Sequence, residues 1–416
     1  MKTQRAWQFK LELKPSEAKI LSHWLSHLRC LYNLALEQRI TVYSSSKKSL
    51  NYYDQARELP DLKKQFPFFK EVPSQLLQQK LKDVESAYQK FFKQGAGFPK
   101  FKKKRDPMGM RFPDPKQFFV EIRKGKRTSV VTLPKIGSLK FVHSRAIIGE
   151  VKNCSITNKA DGFYISFQTE YVKEISINTK TAIGIDRGVR VTGMTSQGEQ
   201  LVIPIEKLKK IENKLTTIQK ALSCKQKGSN NFNKQVVKIN LVYKKMTDLK
   251  TDALHKLTSN IANNHGLVVL EDLKVKNMTA SSKGTLQSPG AKVKQKSGLN
   301  RAILRNNWGE FERQLSYKLM WNGGKLKKVK PQYTSQMCNQ CHSVHSQNRN
   351  GLEFFCLICG HRDHADINAA KNILALGQSV SVCGEASSGV LAKSKTRNVF
   401  VKQKPMGAQA PGIIAL

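Results

Sequence analysis

The sequence predicts a mixed chain, α/β plus β, with more than one domain. Three observations carry that expectation. Short stretches with period-two alternation open the chain and recur between Arg111 and Val172. Long stripes with helical period lie between and after them. Two wholly apolar runs, Ala182–Ile185 and Leu267–Leu270, each end at an acid. At 416 residues there is room for two or three cores, and 39% apolar content excludes a disordered tail protein.

The elements follow in order. Trp7, Phe9, Leu11 and Leu13 alternate with Gln8, Lys10 and Glu12, the pattern of a half-buried strand. Pro15-Ser16 opens a helix with Ser16 expected as its cap, and Leu21, Trp24, Leu25, Leu28, Leu31 and Tyr32 form its apolar face. Leu59 to Pro73 is punctuated by proline, and a second helix is expected from Ser74 to Phe92. Runs at Ser129–Leu133, Ser138–Val142 and Gly162–Glu170 predict a small barrel or sheet. Strands are expected at Val191–Thr195 and Gln200–Ile203, around the turn Ser196-Gln197-Gly198. Leu208, Ile211, Leu215, Ile218 and Leu222, then Ile239, Val242, Met246 and Leu249, give a helical hairpin with a heptad-like seam. Ala280 to Ser297, rich in Ser, Gly and Lys, is expected as a mobile loop, and Leu299 to Trp321 as one helix ended by Gly323-Gly324. The stretch from Gln378 has no clear period and is expected to be largely disordered.

Charge narrows the partner. Lys and Arg number 72 against 30 Asp and Glu, a net of +42. Such self-repulsion is relieved by a polyanion, whose condensed counterions are released on binding. A ribosomal-type protein and a membrane-surface binder would share this composition. No run approaches the ~20 apolar residues of a membrane span, and no apolar signal region follows the N-terminus, so the expectation is a cytoplasmic protein without a membrane partner. In Gly95–Lys104, Phe98 and Phe101 alternate with Lys100, Lys102, Lys103 and Lys104, which suits phosphate contacts with base stacking; a solvated basic loop with both rings packed inward fits the same residues.

Two motifs carry chemistry. Cys338-x-x-Cys341 and Cys356-x-x-Cys359, with 14 residues between the pairs, have the spacing of a closed tetrathiolate site for structural Zn²⁺. Cys30, Cys154, Cys224 and Cys383 are scattered and read as structural. Asp186 and Glu271 each follow a buried strand, and Asp366 opens an apolar helix. Three carboxylates converging from three elements would repel unless divalent cations held them, and hard oxygen ligands suit Mg²⁺ or Mn²⁺. Each acid taken singly is equally an ordinary surface charge.

Taken together, Gly184-Ile185-Asp186-Arg187-Gly188, Leu270-Glu271-Asp272-Leu273, Thr334-Ser335-Gln336-x-Cys338 and Asp366-Ile367-Asn368-Ala369-Ala370-Lys371-Asn372 resemble the TnpB family of bacterial insertion sequences, itself similar to type V CRISPR effectors. Val72-Pro73-Ser74-Gln75, Gln78-Gln79, Gly97–Lys102 and Lys296–Arg301 match it too, so the resemblance spans roughly residues 1 to 378. It implies an RNase H-like, RuvC-type nuclease domain (179–335 and 360–378) interrupted by a zinc ribbon (336–359). It implies a wedge-like β-barrel (1–14 and 95–178) carrying a helical recognition insertion (15–94), with 379–416 a tail. It implies catalytic acids at Asp186, Glu271 and Asp366, a guide RNA transcribed from the element's end, and double-stranded target DNA carrying a short flanking motif. Gln75, Gln78 and Gln79 are candidates for reading that flank, because Gln pairs bidentately with adenine; a polar helix face explains them as well. Two departures stand beside the acids: Arg187 replaces a more usual apolar residue and His364 an acidic or small one.

The leading function is RNA-guided DNA cleavage. A nuclease-silent guided repressor and a transposase or recombinase using the same acids are the alternatives, separated by metal-dependent cutting and by strand-transfer products. Replacing Lys100, Lys102, Lys103 and Lys104 with Ala should flatten the salt dependence of RNA binding, since each lost phosphate contact removes about 0.7 from the log–log slope on single strands. Binding isotherms across a salt series check it, and an unchanged slope removes this loop from the interface.

Overall fold

The computed structural model describes residues 2–382, with side chains to 379. The expected disorder of 379–416 therefore concerns residues outside the described ones, apart from the last turn of a helix.

The first lobe begins with β1 (Lys2–Glu12), whose alternation buries Trp7, Phe9 and Leu11. Three helices follow: α1 (Pro15–Ser46), α2 (Tyr52–Gln65) and α3 (Ser74–Gln94). The chain then forms β2 (Gly109–Phe112), β3 (Phe119–Glu121), β4 (Thr128–Leu133), β5 (Gly137–Val142), β6 (Glu150–Lys159) and β7 (Gly162–Val172). The sheet order is β2-β6-β7-β1-β5-β4-β3. β1 passes from one half of the sheet to the other: Lys2 to Lys10 pair with β7, Leu11 and Glu12 with β5. Phe9, Phe141 and Phe167 meet between the halves at centroid separations of 5.4 to 6.2 Å. Among the described residues β2 and β3 remain as edges, so the expectation of a barrel or sheet resolves there to a sheet folded about one core and not closed by hydrogen bonds. The apolar faces of α1 and α3 join that same core.

The second lobe starts with β8 (Ala182–Asp186), β9 (Gly193–Thr195) and β10 (Gln200–Leu201), then the hairpin α4 (Ile205–Ser223) and α5 (Asn230–Asn264). β11 (Leu267–Glu271), α6 (Val275–Met278), α7 (Val293–Asn306), α8 (Trp308–Trp321) and β12 (Lys325–Val329) follow. A small three-stranded sheet, β13 (Arg349–Asn350), β14 (Glu353–Phe355) and β15 (Arg362–His364), precedes α9 (Ala365–Val382), the last helix of the described residues. The main sheet is β10-β9-β8-β11-β12, with β8, β11 and β12 parallel. Parallel strands are covered on both faces, which is why these runs are apolar throughout. Ile183, Ile185, Val268 and Leu270 face α5 and α8, while Val269 faces α9 with Ile373.

Some local expectations are corrected. Lys14, not Ser16, precedes the first turn of α1, and its backbone N–H donates to the Glu17 carboxylate at 2.8 Å. Pro60 sits inside α2 instead of breaking the chain; Asn51 caps that helix by accepting from Tyr53 and Asp54. The strands expected at Val191–Thr195 and Gln200–Ile203 are shorter, as β9 and β10. The helix expected over Leu299–Trp321 is broken at Asn307, whose φ of 54° is left-handed, a region Asn tolerates better than most residues. Its first part begins already at Val293, so only the front of the segment expected as a mobile loop lacks helix.

One glycine sets how the lobe closes. A Cβ on Gly184 would lie 2.2 Å from the carbonyl oxygen of Ala370, so α9 lies directly on the backbone of β8. Gly184→Ala should lower stability by about 3 kcal/mol or more, because the clash is with backbone that cannot rotate away. Urea unfolding should show this, whereas Gly97→Ala, which meets nothing within 4 Å, should leave the midpoint unchanged.

Candidate functional site

The parallel pairing of β8 and β11 puts Leu270 beside Ile185, so Asp186 and Glu271 leave the sheet as neighbours at its C-terminal edge. Asp366, the second residue of α9, reaches the same edge because α9 crosses β8 there. Asp186 senses the other two acids. Burial first, then the charges of Glu271 and Asp366, push Asp186 up to about 7 from its ordinary 3.8.

The remaining polar groups hold this arrangement. The Thr334 hydroxyl donates to Glu271 Oε1 at 2.6 Å, and Thr334 is buried. Arg349, from β13, donates to Asp366 Oδ1 at 2.7 Å. Arg187 lies buried behind the site, with its guanidinium donating to the backbone carbonyl of Glu271 and pairing with Glu312 at 3.4 Å. The Asp366 N–H donates to His364 Nδ1 at 3.2 Å, so both departures from the family pattern act on the backbone beside an acid and neither displaces one. Two asparagines one turn apart on α9 fix the helix. Asn368 donates to the Met337 carbonyl at 2.8 Å, and Asn372 donates to those of Thr334 and Met337 at 2.9 and 2.7 Å.

The three carboxylates do not draw within 4.8 Å of one another, as a ligand set closed on an ion would. Their chemistry nevertheless fits a hard divalent cation: oxygen donors only, at a partly desolvated edge, with mutual repulsion that a cation would offset.

The four cysteines do close. Their sulfurs lie within 4.8 Å of one another, with Cys338 to Cys359 at 3.7 Å and Cys341 to Cys356 at 3.5 Å. Tetrahedral zinc with Zn–S of about 2.3 Å sets sulfurs roughly 3.8 Å apart. Backbone N–H groups of Gln340 and Cys359 donate to Cys338 and Cys356, as thiolates require. The Cys359 N–H and the Ser343 hydroxyl lower Cys356 to about 5; for Cys359 the backbone N–H of His361 pulls downward, but Cys341, burial and the other two cysteines together raise it to about 12. This spacing of four sulfur donors fits Zn²⁺, whose charge would hold them as thiolates.

Of the other residues singled out by sequence, Gln75, Gln78 and Gln79 lie in the first turns of α3, with Gln78 exposed and the other two half-buried. Lys100, Lys103 and Lys104 are exposed and Lys102 is half-buried, in a strap whose backbone is held at Lys102 by the Asn33 amide. Phe98 and Phe101 are each 48% exposed, so neither packs fully inward. Neither group is part of the acid cluster. Sequence reasoning missed the roles of Thr334, Arg349, Asn368 and Asn372. The signal for the asparagines was legible: polar residues four apart on a helix face that is otherwise Ala and Ile.

Residues 166–282 match a family described as "Probable transposase", and residues 308–373 one described as "Cas12f1-like, TNB domain". A protein of Escherichia coli (strain K12) named "Putative RNA-guided DNA endonuclease InsQ" is 36% identical over 389 residues, 92% of this chain and 95% of that one. The chain belongs to the TnpB family. A Streptomyces pristinaespiralis protein bearing the same name without InsQ is 28% identical over 98% of each chain. Among solved structures, a Cas12f1 chain from a complex with single guide RNA and target DNA superposes with a TM-score of 0.55 at 15% identity, covering 86% of this TnpB-family chain and 83% of that one. That likeness shows a shared fold.

The raised Asp186 pKa gives a prediction with a definite sign. Between pH 3.8 and about 7 the folded chain holds a proton that the unfolded chain has released, so stability falls as pH rises through that window. The cost is complete above pH 7 and amounts to at most ~4 kcal/mol. In chelator, Asp186→Asn should therefore raise the melting temperature at pH 8 and change little at pH 4, as scanning calorimetry would show.

Proposed function

We propose that this protein is an RNA-guided DNA endonuclease of a bacterial insertion sequence, acting in the cytoplasm on nucleoid DNA. The observation that carries the reading is the placement of Asp186, Glu271 and Asp366 on β8, β11 and α9 at one sheet edge. In this reading residues 179–335 and 360–378 are an RNase H-like, RuvC-type nuclease domain, and 336–359 a zinc ribbon. Residues 1–14 and 95–178 are the wedge, and 15–94 the recognition insertion.

The three acids would hold Mg²⁺ or Mn²⁺, which when bound supplies an activated water and offsets charge on the phosphoryl oxygens. The chain's own residues do the positioning. Thr334 fixes the Glu271 carboxylate, Arg349 orients Asp366, and Arg187 anchors the end of β11 through its backbone. Base pairing by the guide would choose the sequence, while the protein reads backbone shape and a short flank. A cleft of about 960 Å³ between the lobes, lined by Arg5, Arg145, Arg313 and Lys318, suits a phosphodiester backbone. Lys100, Lys102, Lys103 and Lys104 would add phosphate contacts, and Gln75, Gln78 and Gln79 would face the flank of the target.

Cleavage and binding should separate. Asp186→Ala and Glu271→Gln, loaded with guide, should lose cutting by roughly a hundredfold or more, the scale of removing preorganised charge stabilisation. Both should bind the matched duplex at least as well as the parent, because binding rests on Lys, Arg and guide pairing. Mg²⁺ or Mn²⁺ should support cutting and chelation should stop it. An Asp186→Ala protein that cuts at the parent rate moves the nuclease site elsewhere. A parent that binds but never cuts is a guided repressor, and strand-transfer products make it a recombinase.

A further inference from the structure

Far from both centres in sequence, a third group of metal-binding side chains comes together. His23 and His27 are four residues apart on α1, so they project from the same face. Glu71 is the last residue of a 3₁₀ turn, Pro67–Glu71, that packs on that face. The ligand atoms of the three all lie within 4.8 Å of one another. Nothing in the proposed nuclease function uses them.

The histidines are placed as ligands, not as core residues. Their rings meet edge-on with centroids 5.7 Å apart. His27 is also set against Phe68, from the same turn, at 4.9 Å. Its Nδ1 is buried yet has no hydrogen-bond partner, an uncommon cost for a half-buried imidazole. A paired imidazole one helical turn apart is a bidentate metal chelate, and a carboxylate from a second element completes a three-ligand set with open positions for water. Around bound zinc the donors would sit about 3.4 Å apart, so closure needs side-chain rotations of an ångström or so.

We propose that His23, His27 and Glu71 form a second metal site, for a borderline divalent cation of the Zn²⁺ class, that clamps the 67–71 turn onto α1. Two imidazoles and one carboxylate favour Zn²⁺, Ni²⁺ or Cu²⁺ over Mg²⁺. The clamp acts on one short stretch. On its other side the turn is held by Lys135, whose ammonium donates to the carbonyls of Lys70 and Val72. Beyond it Val72 and Pro73 are buried and α3 begins at Ser74. A cation on Glu71 would therefore fix the start of α3, the helix that carries Gln75, Gln78 and Gln79.

The test uses the full chain in an Asp186→Ala background, so that the acid cluster contributes little, and Zn²⁺ titrated against a chromophoric chelator. The parent should take up one equivalent beyond the four-cysteine site. His23→Ala and Glu71→Gln, both at exposed positions, should each weaken that equivalent by roughly tenfold or more, the effect of about 1.4 kcal/mol. Added Zn²⁺ should raise the melting temperature of the parent more than that of either variant. With Cu²⁺, spin resonance should show two imidazole nitrogens in the parent and one in His23→Ala. No uptake beyond the cysteines overturns the site. Uptake that depends on His23 but not on Glu71 overturns the clamp, leaving only a surface chelate.

Discussion

Everything at the candidate centre depends on how closely α9 lies on β8. The glycine between Ile183 and Ile185 brings two backbones into contact, and that contact carries Asp366 to the edge where Asp186 and Glu271 emerge. Any side chain at 184 would lift the helix, and with it the third acid. The small residues of α9 extend the fit, with Ala369 and Ala370 fully packed and Gly377 seated on Val269. Asn368 and Asn372 then tie the helix to the strap that enters the cysteine knuckles. The precision of the site is thus a matter of packing before it is a matter of charge.

Electrostatics takes over where packing ends. Three carboxylates at a desolvated edge are an unfavourable group, and the chain answers with two guanidiniums of different kinds. Arg349 faces Asp366 directly from the small sheet. Arg187 lies behind the strands, donating to the Glu271 carbonyl oxygen and pairing with Glu312. The second arrangement explains how a cation can follow the first acid in sequence without neutralising it. Its side chain points through the layer, to the Trp308 ring at 5.8 Å, and not along the edge.

Much of this was legible in the sequence because a short parallel strand buried on both faces leaves an unbroken apolar run, and an acid ending that run marks the edge. The cysteine spacing was legible because thiolate geometry permits few arrangements. Other features were hidden for physical reasons. Asn307 breaks what reads as one continuous helix, since a left-handed residue leaves no periodic trace. Pro60 looks like a stop but fits within a helix. Thr334 and Arg349 earn their roles only from contacts made across 63 and 17 residues, and nothing local distinguishes them from other threonines and arginines. How the loop of 100–104 and the face of α3 are used rests on partners, which is why their residues can also be read as solvated surface.

The order of the elements has a temporal side. Asp186 lies on the first strand of its sheet and Asp366 on α9, and between them come the sheet's other four strands, the helical hairpin and the cysteine-bearing insert. A chain emerging from the ribosome completes its basic first lobe, and two of its acids, long before α9 exists. During that interval the three acids are not yet brought together. The insert must also fold before α9 can be placed, since Asn368 and Asn372 grip the Thr334 and Met337 carbonyls at its entrance. Long-range closure of this kind is slow relative to local helix formation. Synthesis itself therefore imposes an order in which the basic first lobe is complete before the acid edge is assembled.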